Sequence, residues 1–90
     1  MRFEWDDAKA EANEAKHGVT FEEATELWDD PHMVAVEVTR GGERRKLGIA
    51  RMWGSCWLAV YVQRGEAVRI ISVRRATEKE AALYDREANR

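Results

Sequence analysis

The chain has 90 residues, of which 44% are hydrophobic and 36% are charged, and its formal net charge is −2. This length fits a single domain with a thin core, and the composition is too apolar for a disordered tail and too charged for a membrane protein. No run approaches the roughly 20 apolar residues of a membrane-spanning helix, and the first residues form no apolar signal core, so we expect a cytoplasmic protein. Cys56 is the only cysteine, which excludes an internal disulfide, and its apolar neighbours favour an inert, buried thiol over a reactive one.

The small net charge hides a separation of charge along the chain. Residues 1–39 carry 11 acidic and 3 basic groups, whereas residues 40–75 carry 9 basic and 2 acidic groups. Residues 76–90 are close to neutral, with 4 acidic and 3 basic groups. A basic middle segment of this kind is typical of a surface that binds an anionic partner.

Two helices are predicted before residue 31. The first has an Asp cap within Trp5-Asp6-Asp7, continues through an alanine-rich sequence and ends at Gly18. The second begins with a capping box, in which Thr20 and Glu23 each satisfy a backbone amide of the other. Asp30-Pro31 ends this second helix, since the residue before a proline disfavours the helical conformation.

From Met33 to Arg75 the pattern changes to β-rich segments separated by three glycine-containing turns, which are Arg40-Gly41-Gly42, Trp53-Gly54-Ser55 and Arg64-Gly65-Glu66. Alternation of apolar and polar residues predicts four antiparallel strands, the last of which runs from Ala67 to about Arg74. A second capping box, Thr77 to Glu80, begins a final helix. We therefore expect one α+β domain over residues 1–90, with a four-stranded antiparallel sheet, two N-terminal helices and one C-terminal helix.

Arginines of the predicted sheet are the first candidates for function. Alternation along the fourth strand places Arg69 on one face and Arg74 on the other. Together with Arg45 on a nearby strand, they can form a cationic surface that grips phosphates through bidentate contacts. The pattern equally allows each arginine to pair with a carboxylate of the acidic helices.

Two further positions can take part in proton transfer. Lys16 and His17 close the first helix, where they can supply charge and a base, although a histidine there also stabilises the helix dipole. Glu43 stands among basic residues that keep it ionised, so it can accept a proton, hold an arginine in place or form a salt bridge at the turn. No histidine or cysteine pattern indicates a metal and no nucleotide-binding motif is present, so we predict no cofactor.

Several sequence blocks cover nearly the whole chain in a fixed order. They are Phe3-Glu4-Trp5-Asp6 with Lys9 and Asn13, Lys16-His17-Gly18-Val19, Phe21-Glu22-Glu23-Ala24, Asp30-Pro31, Glu43-x-Arg45 and Arg69-Ile70-Ile71-Ser72-x-Arg74-Arg75-Ala76 with Glu80 and Tyr84. In this order the blocks resemble the BrnT toxins of bacterial type II toxin–antitoxin pairs. The resemblance implies a RelE-like fold, RNA cleavage that inhibits translation and growth, and inhibition by a BrnA-like antitoxin. It also implies that operator DNA is contacted only through that antitoxin. The assembly that it implies is a homodimer or a toxin–antitoxin heterotetramer, and no membrane partner is expected.

Under this resemblance we expect a metal-independent endoribonuclease, in which the ribose 2′-hydroxyl attacks the adjacent phosphorus and leaves a 2′,3′-cyclic phosphate. The reaction needs a base, cations to stabilise the phosphorane and an acid for the leaving oxygen. The residues assigned to catalysis are Lys16, His17, Glu43, Arg45, Arg69 and Arg74, with His17 or Glu43 as base or acid. Those assigned to RNA binding are Arg44, Arg75 and Tyr84, although the helical spacing of Tyr84 favours a place in the core. The alternative function is a non-catalytic module that binds a partner protein or nucleic acid through its basic sheet.

Overall fold

The computed structural model describes residues 1–90 and arranges them as a five-stranded mixed sheet with three helices. The elements in chain order are β1 (Arg2–Glu4), α1 (Asp7–His17), α2 (Phe21–Ala24), a 3-10 segment (Thr25–Asp29), β2 (Val34–Arg40), β3 (Glu43–Met52), β4 (Ser55–Arg64), β5 (Ala67–Arg75) and α3 (Glu78–Ala88). The strand order across the sheet is β1-β5-β4-β3-β2. β1 runs parallel to β5, and the other neighbours are antiparallel. None of the three helices has the length and apolar character needed to cross a bilayer.

The predicted α+β class is confirmed, but the prediction of four wholly antiparallel strands is wrong. The missed strand, β1, has only three residues, which is too short for alternation to reveal. It is held by tertiary contacts: Phe3 lies opposite Val68 of β5, and its ring meets Trp28 edge-on with 5.1 Å between the ring centroids. A short strand of this kind forms because it covers the core and the edge of β5.

The predicted helix ends are confirmed by hydrogen bonds. Asp6 accepts a bond from the Lys9 amide at 3.0 Å, and Gly18 adopts the left-handed conformation with φ of +71°. Both capping boxes form, at Thr20 and at Thr77. The second helix differs in detail, because only one turn is α-helical before the chain tightens into the 3-10 segment.

The sheet separates two layers of side chains, which we name by the helices that cover them. The N-helix face carries the larger core cluster, including Ala59, Ile70 and Val73, under α1 and α2. The α3 face carries a smaller cluster, in which Tyr84 packs with Ile49 and Leu58. Because this smaller cluster involves only one end of the sheet, the rest of the α3 face is incompletely covered.

Cys56 is half-buried rather than fully buried. Desolvation by the surrounding residues raises the pKa of its thiol. A raised pKa keeps the thiol protonated at neutral pH, which agrees with the predicted inert role.

Candidate nucleic-acid interface

An irregularity in β5 decides which arginines share a face of the sheet. Ile71 has no partner in the β4–β5 register and is the extra residue of a β-bulge. Ile70 and Val73 lie on either side of it and pack in the same core cluster, although regular alternation would place them on opposite faces. The bulge therefore moves every residue that follows it in β5 to the face opposite the one that regular alternation predicts.

Arg69 and Arg74 consequently lie on the same face of the sheet. Arg74 is opposite Leu58 and Arg69 is opposite Val62 in the β4–β5 register. Leu58 belongs to the α3-face cluster, and Val62, four residues along β4, points the same way. The predicted placement of the two arginines on opposite faces is wrong, because it assumed a strand without a bulge.

Arg45 lies on the same face, because it alternates with Leu47 and Ile49, which pack in the α3-face cluster. In the register of β3 and β4, Lys46 is opposite Tyr61, which puts Arg45 level with Val62 and thus with Arg69. The Cα atoms of Arg45 and Arg69 are two strand spacings apart, about 10 Å. Arg74 lies about 13 Å from that row, four residues along the sheet.

All three arginines have carboxylate partners within the protein. Arg45 Nε donates to Glu43 Oε1 at 2.9 Å, and Arg69 Nη1 donates to Glu4 Oε2 at 3.3 Å. Both contacts use one guanidinium nitrogen, and each arginine side chain is 32% exposed. A single contact at an open surface contributes little to stability, so a phosphate can replace the carboxylate at modest cost.

Arg74 is held more firmly than the other two. Its two terminal nitrogens donate to the two oxygens of Glu80 at 2.8 and 3.0 Å. Glu80 also completes the capping box with Thr77, so the pair joins the end of β5 to the start of α3. The hydrogen bond from Arg74 lowers the pKa of Glu80, and the same bond raises the pKa of Arg74. For this arginine, the pairing with an acidic helix that the sequence allows is what the structure shows.

Lys16 and His17 lie at the free edge of β5, beyond the end of β1. They line a shallow cleft of about 310 Å³ that also includes Ile71 and Ser72 of the bulge. Asn13 fixes α1 against this edge, because its side-chain oxygen accepts from the Val73 amide at 3.0 Å. Ser72 is opposite Val60 in the sheet register, so it lies on the α3 face between Arg69 and Arg74. Because Ser72 also lines the cleft, the cleft adjoins this part of the α3 face.

His17 and Glu43 are not brought together. Ser72, beside His17, is level with Leu47 of β3, and Glu43 lies four residues further along β3. The backbone separation between Ser72 and Glu43 is therefore about 16 Å. An acid and a base that act on one phosphodiester must both be within hydrogen-bond reach of it, so a shared cleavage step would need both side chains to extend toward each other across this distance.

Arg44 and Arg75 point to the N-helix face, away from the other arginines. Arg44 alternates with Arg45 and lies 3.9 Å from Glu37, a long contact at an exposed position. Arg75 lies over the ring of Trp57, with 5.3 Å between its guanidinium carbon and the ring centroid. These two predicted RNA contacts therefore do not belong to the α3 face.

Tyr84 lies in the core, where it is 4% exposed. Its hydroxyl donates to Asp30 Oδ2 at 2.7 Å. Burial and then this hydrogen bond raise the pKa of Tyr84 to about 12. The core position expected from its helical spacing is the one observed, and a buried ring is not available to stack on a base.

Asp30 is the structural residue that the sequence analysis missed. Its carboxylate accepts bonds from the backbone amides of Arg51 and His32, each at 2.8 Å, in addition to the Tyr84 hydroxyl. Burial raises its pKa, but these three bonds outweigh burial and hold the pKa below the usual value of 3.8. The signal available in the sequence was an Asp before a proline, a pattern that favours a turn closed by the Asp side chain.

Comparison with protein families gives one match. A family model described as "Ribonuclease toxin, BrnT, of type II toxin-antitoxin system" matches residues 5–80, a range that includes every predicted site residue except Tyr84. A comparison with curated proteins finds no match. Within the structure, no three His, Cys, Asp or Glu side chains are grouped closely enough to hold a metal ion.

Proposed function

The chain belongs to the BrnT family of ribonuclease toxins of type II toxin–antitoxin systems, and from that premise we propose that its α3 face cleaves RNA without a metal ion. The observation that supports this site is the bulge at Ile71. It puts Arg69 and Arg74 on one face and places Ser72 between them, next to the cleft that Lys16 and His17 line. A polynucleotide that crosses the free edge of β5 at Ser72 meets both groups of cations.

In the proposed reaction the ribose 2′-oxygen forms a bond to the adjacent phosphorus, and the bond from phosphorus to the 5′-oxygen breaks. His17 takes the proton of the 2′-hydroxyl, because it shares the cleft with Ser72, and the leaving 5′-oxygen takes a proton from water. Arg69 exchanges its single contact with Glu4 for the phosphate, and Lys16 adds charge beside the phosphorane. The products are a 2′,3′-cyclic phosphate and a 5′-hydroxyl.

We assign Arg74 and Arg45 supporting roles in this reaction. The bidentate contact with Glu80 keeps the guanidinium of Arg74 in one place, where its remaining N–H groups donate to the RNA backbone while it keeps its partner. Arg45 lies one strand beyond Val62 and binds a phosphate at the far side of the face. Glu43, which holds Arg45, is the rival base; cleavage centred on Glu43 would leave His17 without a role.

We further propose that a BrnA-like antitoxin inhibits the enzyme by covering the α3 face. Val62, which lies between Arg45 and Arg69 on this face, is partly exposed, and Val36 of β2 is 40% exposed. An amphipathic acidic segment can place apolar side chains on the valines and carboxylates on the arginines. Translation stops when this segment is absent, and operator DNA is contacted through the antitoxin in a heterotetramer.

Incubation of the purified protein with a defined RNA in the presence of EDTA tests the proposed reaction. We expect fragments with 2′,3′-cyclic phosphate ends, and a substrate with a 2′-deoxy sugar at the cleavage position should stay intact. The pairing of all three arginines with carboxylates favours a second function, a non-catalytic module that binds RNA or a partner protein. Retarded but uncut RNA would support that second function.

A further inference from the structure

The hairpin turn between β3 and β4 carries a tryptophan in an unfavourable backbone conformation. Met52 pairs with Ser55, so the turn consists of Trp53 and Gly54, with φ of +55° and +75°. A two-residue turn with positive φ at both positions favours Asn, Asp or Gly at the first position. Trp53 is the only residue other than glycine with positive φ in the chain. The turn does not require a tryptophan at this position, so we looked for a role of the indole outside the turn.

The indole of Trp53 is supported by the core but is not part of it. Trp53 is 53% exposed, and its ring meets the buried Trp57 edge-on, with 5.9 Å between the centroids. The ring nitrogen of Trp57 already has a hydrogen-bond partner, because it donates to the Met52 carbonyl at 3.0 Å. Trp57 thus holds the second indole at a fixed angle while much of that indole faces solvent.

Arg75 contacts the same support. Its guanidinium carbon is 5.3 Å from the centroid of the Trp57 ring, and its Nη1 donates to the Ser55 hydroxyl at 3.1 Å. Unlike Arg45, Arg69 and Arg74, it takes part in none of the ion pairs of the protein. An oriented guanidinium without a carboxylate is free to bind an external anion.

We propose that Trp53 and Arg75 form a subsite for an unpaired nucleotide of the RNA substrate, an inference that rests on the ribonuclease function proposed above. In a nucleotide, a flat base and a phosphate are neighbours, and the subsite offers a flat indole and an unpaired cation that both contact Trp57. Single-stranded RNA is commonly bound by stacking of its bases on aromatic side chains and by cationic contacts with its backbone. Stacking tolerates any base, so the subsite positions the strand without selecting its sequence.

The subsite lies at the C-terminal end of β5, beyond Ser72 of the proposed cleavage site. Arg75 follows Arg74 directly, and Arg74 Nη1 donates to the Arg75 carbonyl at 3.1 Å. Ser72 is three residues earlier, about 10 Å along the strand. Arg75 lies on the N-helix face, so a strand bound at the cleavage site reaches the subsite by passing around this end of β5. The subsite is therefore expected to affect KM rather than kcat.

Binding of a short single-stranded RNA with 2′-O-methyl sugars, which cannot be cleaved by 2′-hydroxyl attack, tests the subsite by fluorescence anisotropy. We expect Trp53→Asn to weaken binding about tenfold, as the loss of one stacked base does, and Trp53→Phe to weaken it less than about threefold. Arg75→Ala is expected to weaken binding more than Arg86→Ala, a matched change at an exposed arginine of α3. Because Asn suits a positive φ, the Tm of Trp53→Asn should equal or exceed that of the wild type.

Each result has one meaning for the subsite. Unchanged affinity in Trp53→Asn overturns the proposal, as does a loss of affinity that comes with a lower Tm in both Trp53 variants. Unchanged RNA binding with lost antitoxin binding assigns the surface to a protein partner and also overturns it. If the wild type binds the oligonucleotide through Trp53 but cleaves no RNA, the subsite is supported and the proposed ribonuclease reaction fails.

Discussion

Replacing Tyr84 with Phe separates the two roles that the sequence allows for this residue, packing in the core or contact with RNA. The change removes only the hydroxyl, which donates to Asp30 Oδ2 at 2.7 Å from a side chain that is 4% exposed. A hydrogen bond to a charged group contributes roughly 1.5–3 kcal/mol to stability. We therefore expect the free energy of unfolding to fall by about 2 kcal/mol, which lowers Tm by roughly 10 °C in a chain of this size.

The pH dependence of this loss follows from the pKa of Tyr84, which burial and the bond to Asp30 raise from 10.0 to about 12. A group whose pKa is raised by folding stabilises the fold below its unfolded pKa and loses that effect as the pH rises through the folded pKa. The difference in unfolding free energy between the wild type and Tyr84→Phe should be constant from about pH 6 to pH 9. Above about pH 10 it should shrink.

Urea denaturation and RNA cleavage, measured on the same samples, check this prediction. Tyr61→Phe is the matched control, because only burial raises the pKa of Tyr61, with no hydrogen-bonded partner contributing. The control should keep nearly all of the wild-type stability. Tyr84→Phe should cleave RNA at the wild-type rate at a temperature where it is folded. An unchanged free energy of unfolding together with lost cleavage would refute the assignment of Tyr84 to the core network.

Three further predictions concern acidic and basic side chains. Asp30→Asn is expected to lower stability by about 2 kcal/mol at pH 7. Because folding lowers the pKa of Asp30, this deficit should shrink in denaturant titrations as the pH falls below 4, and a deficit that stays constant would contradict the network. A double-mutant cycle of Arg74→Ala and Glu80→Gln should give a coupling of about 1 kcal/mol, since the pair is bidentate but partly exposed, and no coupling would remove its role as a link to α3. His17→Ala is expected to lower kcat about a hundredfold and Glu43→Ala less than about fivefold in single-turnover cleavage, and the reverse order would make Glu43 the base.

Features of the fold that depend on near neighbours in sequence were predictable. Asp6, Thr20 and Thr77 cap helices through bonds to residues three positions away, and the sequence contains both members of each pair. The hairpin strands β2 to β5 follow from alternation and glycine turns. β1 was not predictable in this way, because three residues acquire strand structure only by pairing with a distant strand.

The candidate site was predictable in its residue types but not in its arrangement. The bulge at Ile71 reverses the face of Arg74, and nothing in the local sequence distinguishes this residue from an ordinary member of an apolar strand. The partner of Arg74 is a residue of the second capping box, and the sequence assigned Glu80 only to that box. Trp53 was placed in a turn, but its exposure and its positive φ depend on the register of β3 and β4.

The central claim, that the α3 face of β5 is the catalytic surface, is tested most directly by the cleavage rate of Arg69→Ala. This arginine has a single 3.3 Å contact with Glu4 and is 32% exposed, so its removal takes away a charge and leaves the core intact. We predict a fall of about a hundredfold in kcat/KM, as for the loss of one group that stabilises the transition state, while Arg86→Ala, a change at an exposed arginine of α3, stays within about twofold of the wild type. Cleavage at the wild-type rate by folded Arg69→Ala would contradict the account.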